Sequence, residues 1–385
     1  MTYRVSPPAN AEPSQDAPPT VAARTPTQAA RPGPAPDQTK IGASRGLAAW
    51  LTRHKTSFAI SSYQSGRLLL IGTMPDGTIS VHQQAFGRAM GICWDRDGLW
   101  LASRVQLWRL ENILPKGMLS QERFDLTLMP RTTHITGDLD IHEVGVDYAG
   151  RPIFVTTAYS CLGTLDPVES FRPIWKPSFI SELAPEDRCH LNGLGMVEGR
   201  AKYVTAVSQT DTPSGWHGRP LPKGVIIDVE TDAVVTDQLS MPHSPRLGPD
   251  GKLYAVDSGR GWLVEVDKET GDVRDVAFCP GFLRGLALID GYALATVSKP
   301  RYGRFEEMPI SEELTKRNLD PICGVMVIDL AKGEIVEWLR LEGEVQELFA
   351  VELMPGITCP MAIGPQADEF HDTVTFDAEI KPLEP

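Results

Sequence analysis

The stretch MGICWDRDGLWLAS, residues 90–103, carries the strongest fold signal in this sequence of 385 residues. An apolar run leads into an Asp-Gly turn, and a second apolar run follows directly. Asp and Gly suit a tight hairpin, because such turns need positive φ angles. The stretch therefore predicts two short antiparallel strands.

This pattern returns four more times along the chain. The later copies are VGVDYAG with PIFVT (144–156), GLGMVEG with YVTAV (193–207), LGPDG with LYAVD (247–257) and LALIDG with ALATV (286–297). The turn glycines at 98, 150, 199, 251 and 291 are spaced 52, 49, 52 and 40 residues apart. A second half-unit follows each copy, with an apolar strand that ends in Asp, as in VIID at 225–228. Two hairpins in each repeat of about 40–50 residues are typical of a four-stranded propeller blade.

Five blades are visible in this way, and the ends of the repeat region supply a sixth. The hairpin at residues 58–84 offers outer strands, and residues 345–354 offer an inner strand for the same sheet. Pairing them would close the ring and remove two exposed sheet edges. The sequence therefore predicts an all-β, six-bladed β-propeller, with a double β-sandwich as the alternative.

The two ends of the chain differ from the repeats. The first 40 residues hold nine prolines and eight alanines, so we expect a disordered tail over residues 1–43. A short docking helix is predicted over residues 44–56, capped by Ser44, with Leu47, Trp50 and Leu51 on one face. The propeller is expected over residues 57–360 and a C-terminal extension over 361–385.

Composition narrows the classes of partner and compartment. The chain carries 37 Lys and Arg against 50 Asp and Glu, a net charge of −13. This balance argues against nucleic acid or an anionic membrane as the main partner, and leaves a small-molecule or carbohydrate ligand. The N-terminus has no apolar signal segment, and the six cysteines form no CxxC pair. Free thiols and a cytoplasmic location are the expectation.

Polar residues gather where the predicted inner strands begin. His142, His190 and His243 start three consecutive blades, and Glu347 lies opposite. Imidazole and carboxylate are common ligands of a divalent metal ion, so one hypothesis is a metal site formed by these four side chains. The alternative is that each histidine hydrogen-bonds a neighbouring inner strand.

Four residues of the same mouth are candidates for catalysis. His243 lies between Pro242 and Pro245 and could act as a base. The arginines Arg246 and Arg284 could hold an anionic group, or could instead form salt bridges with Glu143 and Glu347. Asn192 could orient a ligand, or form an Asx turn at the start of its strand.

Several runs of this sequence resemble a bacterial family of conserved hypothetical proteins. They are NGL from Asn192, YVTA at 203–206 with TDT at 210–212, GVIIDV at 224–229, LSMPHSPR at 239–246, DSG at 257–259 and PGFLRGL at 280–286. The resemblance covers residues 47–360, and some members of that family are fused to tetratricopeptide repeats. Members often carry EIFDV near the end, whereas residues 347–351 here read ELFAV. The family implies domain limits and no reaction.

Two function classes remain open from the sequence. The first is a metal- or histidine-dependent enzyme that acts on a small anionic substrate at the axial mouth. The second is a non-catalytic module that binds a carbohydrate, peptide or partner protein through the same face.

Overall fold

Six antiparallel sheets are arranged as blades around an axis in the computed structural model, which describes residues 39–217, 223–301, 303, 305 and 308–376. The predicted β-propeller is therefore confirmed. Of the disordered tail expected over residues 1–43, residues 1–38 lie outside the described part of the chain.

The elements follow one another in chain order through the blades. Blade 1 and the segment before it contain β1 (Lys40–Ala43), α1 (Leu47–His54), β2 (Thr56–Ser62), β3 (Arg67–Thr73) and β4 (Ile79–Ala85). Blade 2 contains β5 (Ile92–Asp95), β6 (Gly98–Ala102), β7 (Gln106–Asn112) and β8 (Leu126–Ile135). Blade 3 contains β9 (Ile141–Val146), β10 (Pro152–Thr156), a 3-10 turn (Thr157–Tyr159), β11 (Cys161–Thr164) and β12 (Arg172–Trp175).

The second half of the ring repeats this plan. Blade 4 contains β13 (Leu191–Val197), β14 (Arg200–Ala206), β15 (Gly224–Asp228) and β16 (Val234–Leu239). Blade 5 contains β17 (Pro242–Leu247), β18 (Leu253–Asp257), β19 (Trp262–Val266) and β20 (Val273–Phe278). Blade 6 contains β21 (Phe282–Ile289), β22 (Tyr292–Ser298), α2 (Ile310–Arg317), β23 (Cys323–Asp329) and β24 (Glu334–Glu342). The chain ends with β25 (Val351–Pro355), β26 (Pro360–Ala362) and α3 (Asp368–Asp372).

The ring closes through pairing of sequence-distant strands in blade 1. Strand β25 pairs antiparallel with β2, so that Val351 faces Ile60 and Leu353 faces Phe58. Because β25 is the innermost strand of this sheet and comes near the end of the chain, the first and last repeats share one blade. The predicted closure by residues 345–354 is confirmed.

Two short strands extend the propeller beyond the expected limits. Strand β1 pairs with β24, with Ile41 opposite Leu341, so residues 40–43 belong to the outer edge of blade 6 and not to a tail. Strand β26 runs parallel to β8 on the outer edge of blade 2, so the sheet continues past residue 360. Both additions cover a sheet edge that would otherwise present unpaired backbone groups.

Helix α1 packs its apolar face on blades 1 and 6. Leu47, Trp50 and Leu51 are all buried in a cluster that includes Phe58 of β2 and Leu339 of β24. The predicted cap at Ser44 is wrong, because the N-cap position is Gly46. The Ser44 hydroxyl instead bonds the Glu337 carboxylate and accepts the Trp338 N–H at 3.0 Å, which ties β1 to β24.

Apolar residues of adjacent blades interdigitate to form the core. One such cluster joins Leu194, Val204 and Ile227 of blade 4 to Val155 and Leu162 of blade 3. All six cysteines carry free thiols. None of the described helices is both long and apolar enough to cross a membrane.

Candidate functional site

A cavity of about 380 Å³ opens at the mouth of the central channel, where the innermost strands begin. Its walls come from all six blades and are mixed in character. They consist of Tyr63, Arg88, Met90, Asp140, His142, His190, Trp216, Met241, His243, Phe282, Arg284, Lys299, Arg301, Phe305, Met308, Glu347 and Phe349. We call this cavity the axial pocket.

The axial pocket brings together five residues that were singled out from the sequence: His142, His190, His243, Arg284 and Glu347. Asn192 lies directly behind the wall, buried and within 3.3 Å of the His243 ring. Arg246 is not part of the pocket wall.

The backbone turns into four innermost strands in the same way. Four residues have a similar positive φ just before these strands: 57° at Arg88, 54° at Asp140, 51° at His190 and 51° at Met241. The residues two positions later are Met90, His142, Asn192 and His243. Left-handed backbone at non-glycine residues carries strain and is concentrated at functional sites. In these four blades, the residue two positions later lies at or near the mouth: Met90, His142 and His243 line the axial pocket, and Asn192 lies behind its wall.

His142 and His243 are held by the same clamp in two blades. Each Nδ1–H faces the carbonyl two residues earlier, at 3.0 Å from Asp140 O and 3.0 Å from Met241 O. Each also faces a hydroxyl that follows the second strand, at 2.7 Å for Thr157 and 2.9 Å for Ser258.

The clamp decides which ring nitrogen carries the proton. The Thr157 hydroxyl donates its own proton to Leu191 O at 2.6 Å, so it accepts from His142 Nδ1–H. His142 Nε2 is then an acceptor. Burial lowers the pKa of His142 to about 4, and burial together with the charge of Arg284 lowers the pKa of His243 well below its usual value. Both rings are therefore neutral near pH 7.

Asn192 uses its amide to fix His243. Its Oδ1 accepts from the Thr205 hydroxyl at 2.6 Å, so its Nδ2 is the group that faces His243 Nε2 at 3.3 Å. Both ring nitrogens of His243 are thus engaged. This arrangement gives Asn192 an orienting contact and leaves His243 without a free lone pair.

His190 differs from the other two histidines, because its Nδ1 lies 2.8 Å from the Asp187 carboxylate. The same carboxylate oxygen accepts the Trp216 indole N–H at 2.9 Å. Burial acts to raise the pKa of Asp187, but the hydrogen bonds from His190 and Trp216 outweigh it and the pKa is lowered. The rings of His190 and His142 are 5.0 Å apart, edge to face. An imidazole backed by a carboxylate in this way is suited to accept and release a proton at Nε2.

Arg284 is a cation surrounded by aromatic rings. Its guanidinium carbon lies 4.7 Å from the Phe282 ring centre, 5.4 Å from Tyr63 and 5.6 Å from Phe349. Among the described residues, its Nη1 has no hydrogen-bond partner. Burial lowers the pKa of Arg284 to about 10, which is still well above neutral pH.

The carboxylate that faces Arg284 within the described residues, that of Glu347, is already shared with other groups. Glu347 Oε2 lies 3.8 Å from Arg284 Nη2, beyond hydrogen-bond range. That oxygen accepts from the Tyr63 hydroxyl and lies 3.3 Å from Arg301 Nη2. The charge of Glu347 is therefore compensated mainly by Arg301, and Arg284 is left only partly neutralised.

The predicted metal ligand set is not assembled. Across the described ranges, no three His, Cys, Asp or Glu side chains are arranged as ligands of one ion. Glu347 is held by Tyr63 and Arg301, and His243 has both nitrogens in hydrogen bonds. The cation Arg284 also lines the same pocket, which disfavours a second positive charge there.

Arg246 occupies a different place from the one predicted for a substrate-binding arginine. Its Nη2 forms an ion pair with Glu143, and its Nη1 donates to Leu194 O at 2.8 Å. Ser244 also donates to Glu143, at 3.1 Å. The open alternative, a salt bridge between Arg246 and Glu143, is the one that the structure contains. We therefore do not assign Arg246 to catalysis.

Sequence reasoning missed the groups that support the pocket. Asp187, Thr157 and Ser258 orient the three histidines, and Tyr63 and Arg301 hold Glu347. Two signals were available in the repeats. Thr157 and Ser258 each follow the second strand of a blade, and Asp187 lies three residues before His190.

Comparison with known families places most of this chain in one of them. A family described as a domain of unknown function, DUF4915, matches residues 45–363. The chain belongs to the DUF4915 family. No curated protein matched this DUF4915 chain.

Solved structures that are similar to the DUF4915 chain match it at low sequence identity. A chain of a nidogen/laminin complex is 12% identical, with 78% of this chain and 99% of that chain covered and a TM-score of 0.51. A catalytically inactive virginiamycin B lyase from Staphylococcus aureus, with quinupristin, is 11% identical over 80% of this chain and 100% of that chain, with a TM-score of 0.37. A protein whose structure carries the name putative gluconolactonase is 13% identical, with 67% of this chain and 89% of that chain covered and a TM-score of 0.40. At these identities the likeness concerns the fold alone.

Proposed function

We propose that this DUF4915 chain is an enzyme that binds a small organic anion in the axial pocket and moves a proton to or from it. The observation that carries the proposal is the pairing, in one cavity, of a partly neutralised arginine with a carboxylate-backed imidazole. Arg284 is the anchor for the anion, and His190 is the proton-transfer group.

The anchoring role of Arg284 rests on its unmet interactions. A buried charge without a close partner is costly, and an anionic ligand would supply the missing contacts. The planar guanidinium can bind a carboxylate or phosphate through two parallel hydrogen bonds. Among the described residues, the carboxylate that pairs with Arg284 is that of Glu347, which is 3.8 Å away and is engaged by Arg301.

The proton-transfer role of His190 rests on a contrast among the three histidines. His142 and His243 are neutral hydrogen-bonding groups with lowered pKa values. His190 has Asp187 on its Nδ1, and that carboxylate stabilises the imidazolium formed when Nε2 accepts a proton. When the protein environment sets the pKa values of chemically similar groups apart, those groups commonly take different roles in acid–base catalysis.

In the proposed reaction, the substrate anion is bound by Arg284 while an acidic group of the substrate faces His190. His190 Nε2 accepts the proton, Asp187 stabilises the resulting charge, and the proton returns to the product or to water. His142 offers Nε2 as an acceptor that orients the substrate, and Asn192 keeps His243 in its place in the wall.

A binding module without catalysis is the second candidate. The observation that favours it is the aromatic wall formed by Phe282, Phe349 and Tyr63, since apolar pockets with few convergent polar groups are typical of ligand sites in general. In either case the ligand is proposed to be a small molecule, because the net charge of −13 disfavours nucleic acid and anionic membranes.

Six free thiols support a cytoplasmic location for the protein.

Binding and proton transfer can be tested separately. A library of carboxylates, phosphates and sulfonates is screened by thermal shift with the wild-type chain, Arg284→Met and the matched control Arg340→Met. Arg340 also lies over an aromatic ring, Trp338, at 4.5 Å, but is outside the pocket. Stabilisation by an organic anion in the wild type and control, but not in Arg284→Met, is expected. If Arg284→Met responds like the wild type, the anchor is wrong.

The catalytic step is then followed with the bound anion in heavy water. We expect exchange of a substrate hydrogen or turnover in the wild type, and loss of at least about 100-fold in His190→Gln with binding retained. Binding without exchange or turnover in the wild type would contradict catalysis and favour the binding module.

A further inference from the structure

We infer that the ligand of the axial pocket is a monocarboxylate on an apolar, ring-sized body. This inference rests on the proposed anchoring role of Arg284 and adds the class of substrate. It excludes sugars, polyhydroxylated acids and phosphate esters.

The first argument is the composition of the wall. Six of its residues are methionines or phenylalanines: Met90, Met241, Phe282, Phe305, Met308 and Phe349. Phe282, Phe305, Met241 and Met308 also pack into one cluster with the buried side of α2. Methionine adapts to irregular shapes and makes favourable contacts with aromatic rings. A wall of this kind desolvates an apolar body and offers little to hydroxyl groups.

The second argument is the charge balance around the anchor. Arg88 is paired with Asp140 at 2.6 Å, and Arg301 with Glu347 at 3.3 Å. Arg284 remains as the cation seated among aromatic rings. Lys299 also lines the pocket, but its ammonium is a strongly hydrated point charge that does not match the fork of a carboxylate. One desolvated guanidinium suits one delocalised negative charge better than a strongly hydrated phosphate dianion.

The third argument is the small number of free polar atoms. His243 has both nitrogens engaged, Asp140 is paired with Arg88, and the Tyr63 hydroxyl is bonded to Glu347. The hydrogen bonds of the His142 and His190 rings go through Nδ1, and within the described part of the chain their Nε2 atoms have no hydrogen-bond partner. A sugar buries many hydroxyls, and each buried hydroxyl without a partner costs free energy. Two free acceptors and one anchor instead fit a ligand with one acidic group beside its carboxylate.

The test is a set of five probes measured by calorimetry on the full chain. Phenylacetate carries both the charge and the apolar body. Acetate lacks the body, phenethyl alcohol lacks the charge, phenyl phosphate is a dianion and gluconate is polyhydroxylated. We expect phenylacetate to bind at least about tenfold more tightly than each of the other four, a difference of about 1.4 kcal/mol.

Two pairs of variants locate the binding. Arg284→Met should abolish phenylacetate binding, whereas Arg340→Met should leave it unchanged. Phe282→Leu should weaken the binding of phenylacetate several-fold. Phe278 is a partly buried residue of the same cluster outside the pocket wall, so Phe278→Leu should leave the binding unchanged. We expect these conservative changes to keep the fold, and a thermal melt of each variant checks this.

Each outcome separates this inference from the proposed function. Tighter binding of gluconate or phenyl phosphate that is lost in Arg284→Met overturns the substrate class and leaves the anion anchor intact. Equal binding of phenethyl alcohol and phenylacetate overturns both, since the charge would then play no part. If none of the five probes binds, the proposed class is wrong, and the wider anion library decides the fate of the anchor.

Discussion

The side chains of Glu143 and Arg246 bond both backbone polar groups of one residue, Leu194, on the strand that lies between them. Glu143 on β9 accepts the Leu194 N–H of β13 at 2.7 Å, and Arg246 on β17 donates to Leu194 O at 2.8 Å. The two side chains also form an ion pair. Innermost strands of a propeller have one edge without a neighbouring strand, so these side chains satisfy backbone groups that the sheet does not.

Breaking this ion pair from one side should destabilise the ring. Arg246→Met leaves Glu143 and the neighbouring Glu352 without their cation, and burial already raises the pKa of Glu352 to about 7. We expect a loss of about 3 kcal/mol in the free energy of unfolding, measured with urea. The double variant Glu143→Gln with Arg246→Met should recover part of it. A loss below about 1 kcal/mol in the single variant would show that the pair contributes little.

Acid should destabilise the protein through His142. Its pKa is about 4 in the folded chain and near 6.5 when unfolded, so the unfolded state binds more protons as the pH falls from 6.5 to 4. Stability is therefore full above pH 6.5 and is lost progressively below it, by about 3 kcal/mol at pH 4. Urea midpoints across this range should fall less steeply in His142→Gln. The exposed His371→Gln is the control, and equal slopes in both variants would contradict the assignment.

Mutation of Glu347 should lower the free energy of unfolding more than mutation of Arg284. Arg284→Met removes a charge that is only partly compensated, so the unliganded protein should keep its stability to within about 1 kcal/mol. Glu347→Gln leaves Arg284 and Arg301 without their carboxylate and should cost about 1–3 kcal/mol. Denaturant unfolding of both variants checks this order, and the reverse order would refute it.

The same Arg284→Met variant should also raise the pKa of His243. The positive charge of Arg284 contributes to the low pKa of His243, after burial. Removing the charge should therefore raise the pKa of His243, which a proton NMR titration of the ring measures. An unchanged titration would mean that burial accounts for the whole effect.

Trp50 of α1 offers a test of a buried donor without an acceptor. The side chain is 4% exposed, and its indole N–H has no partner among the described residues. Trp50→Phe removes the unsatisfied donor and keeps most of the apolar area, so it should cost less than about 1 kcal/mol. Trp50→Ala leaves a cavity and should cost about 3–5 kcal/mol. Thermal melts compare the two, and similar losses would indicate that the indole nitrogen is satisfied in solution.

The blades could be predicted from sequence because each hairpin leaves a local signal. Asp-Gly turns with apolar runs on either side recur at propeller spacing, and closure follows from counting the strands that lack a partner. The strands β1 and β26 left no such signal. KIGA at 40–43 and PMA at 360–362 are too short for an alternating pattern, and β26 begins with proline. Their pairing depends on edges formed by distant parts of the chain.

The mouth of the channel was predictable, but the direction of single side chains was not. His243 and Arg246 lie on one short strand, β17. In a regular strand, successive side chains point to opposite faces of the sheet, so the face of each residue could be counted along the sequence. The pairing of β17 with β18 shifts register between these two residues, and Ser244 has a φ of 46°. This irregularity breaks the alternation, so counting along the sequence could not reveal that Arg246 turns to Glu143. The hydroxyl partners of His142 and His243 could not be predicted either. Thr157 follows β10 and Ser258 follows β18, whereas the histidines lie on β9 and β17.

The recurrent left-handed residue before four innermost strands gives the mouth a repeated backbone frame. Arg88, Asp140, His190 and Met241 have this backbone and line the axial pocket, and the residues two positions later supply further chemical groups. The latter are Met90, His142, Asn192 and His243, one thioether, one amide and two imidazoles on a shared frame. Substitution at these positions would therefore change the chemistry of the mouth one blade at a time, directly at Met90, His142 and His243, and through the His243 ring at Asn192.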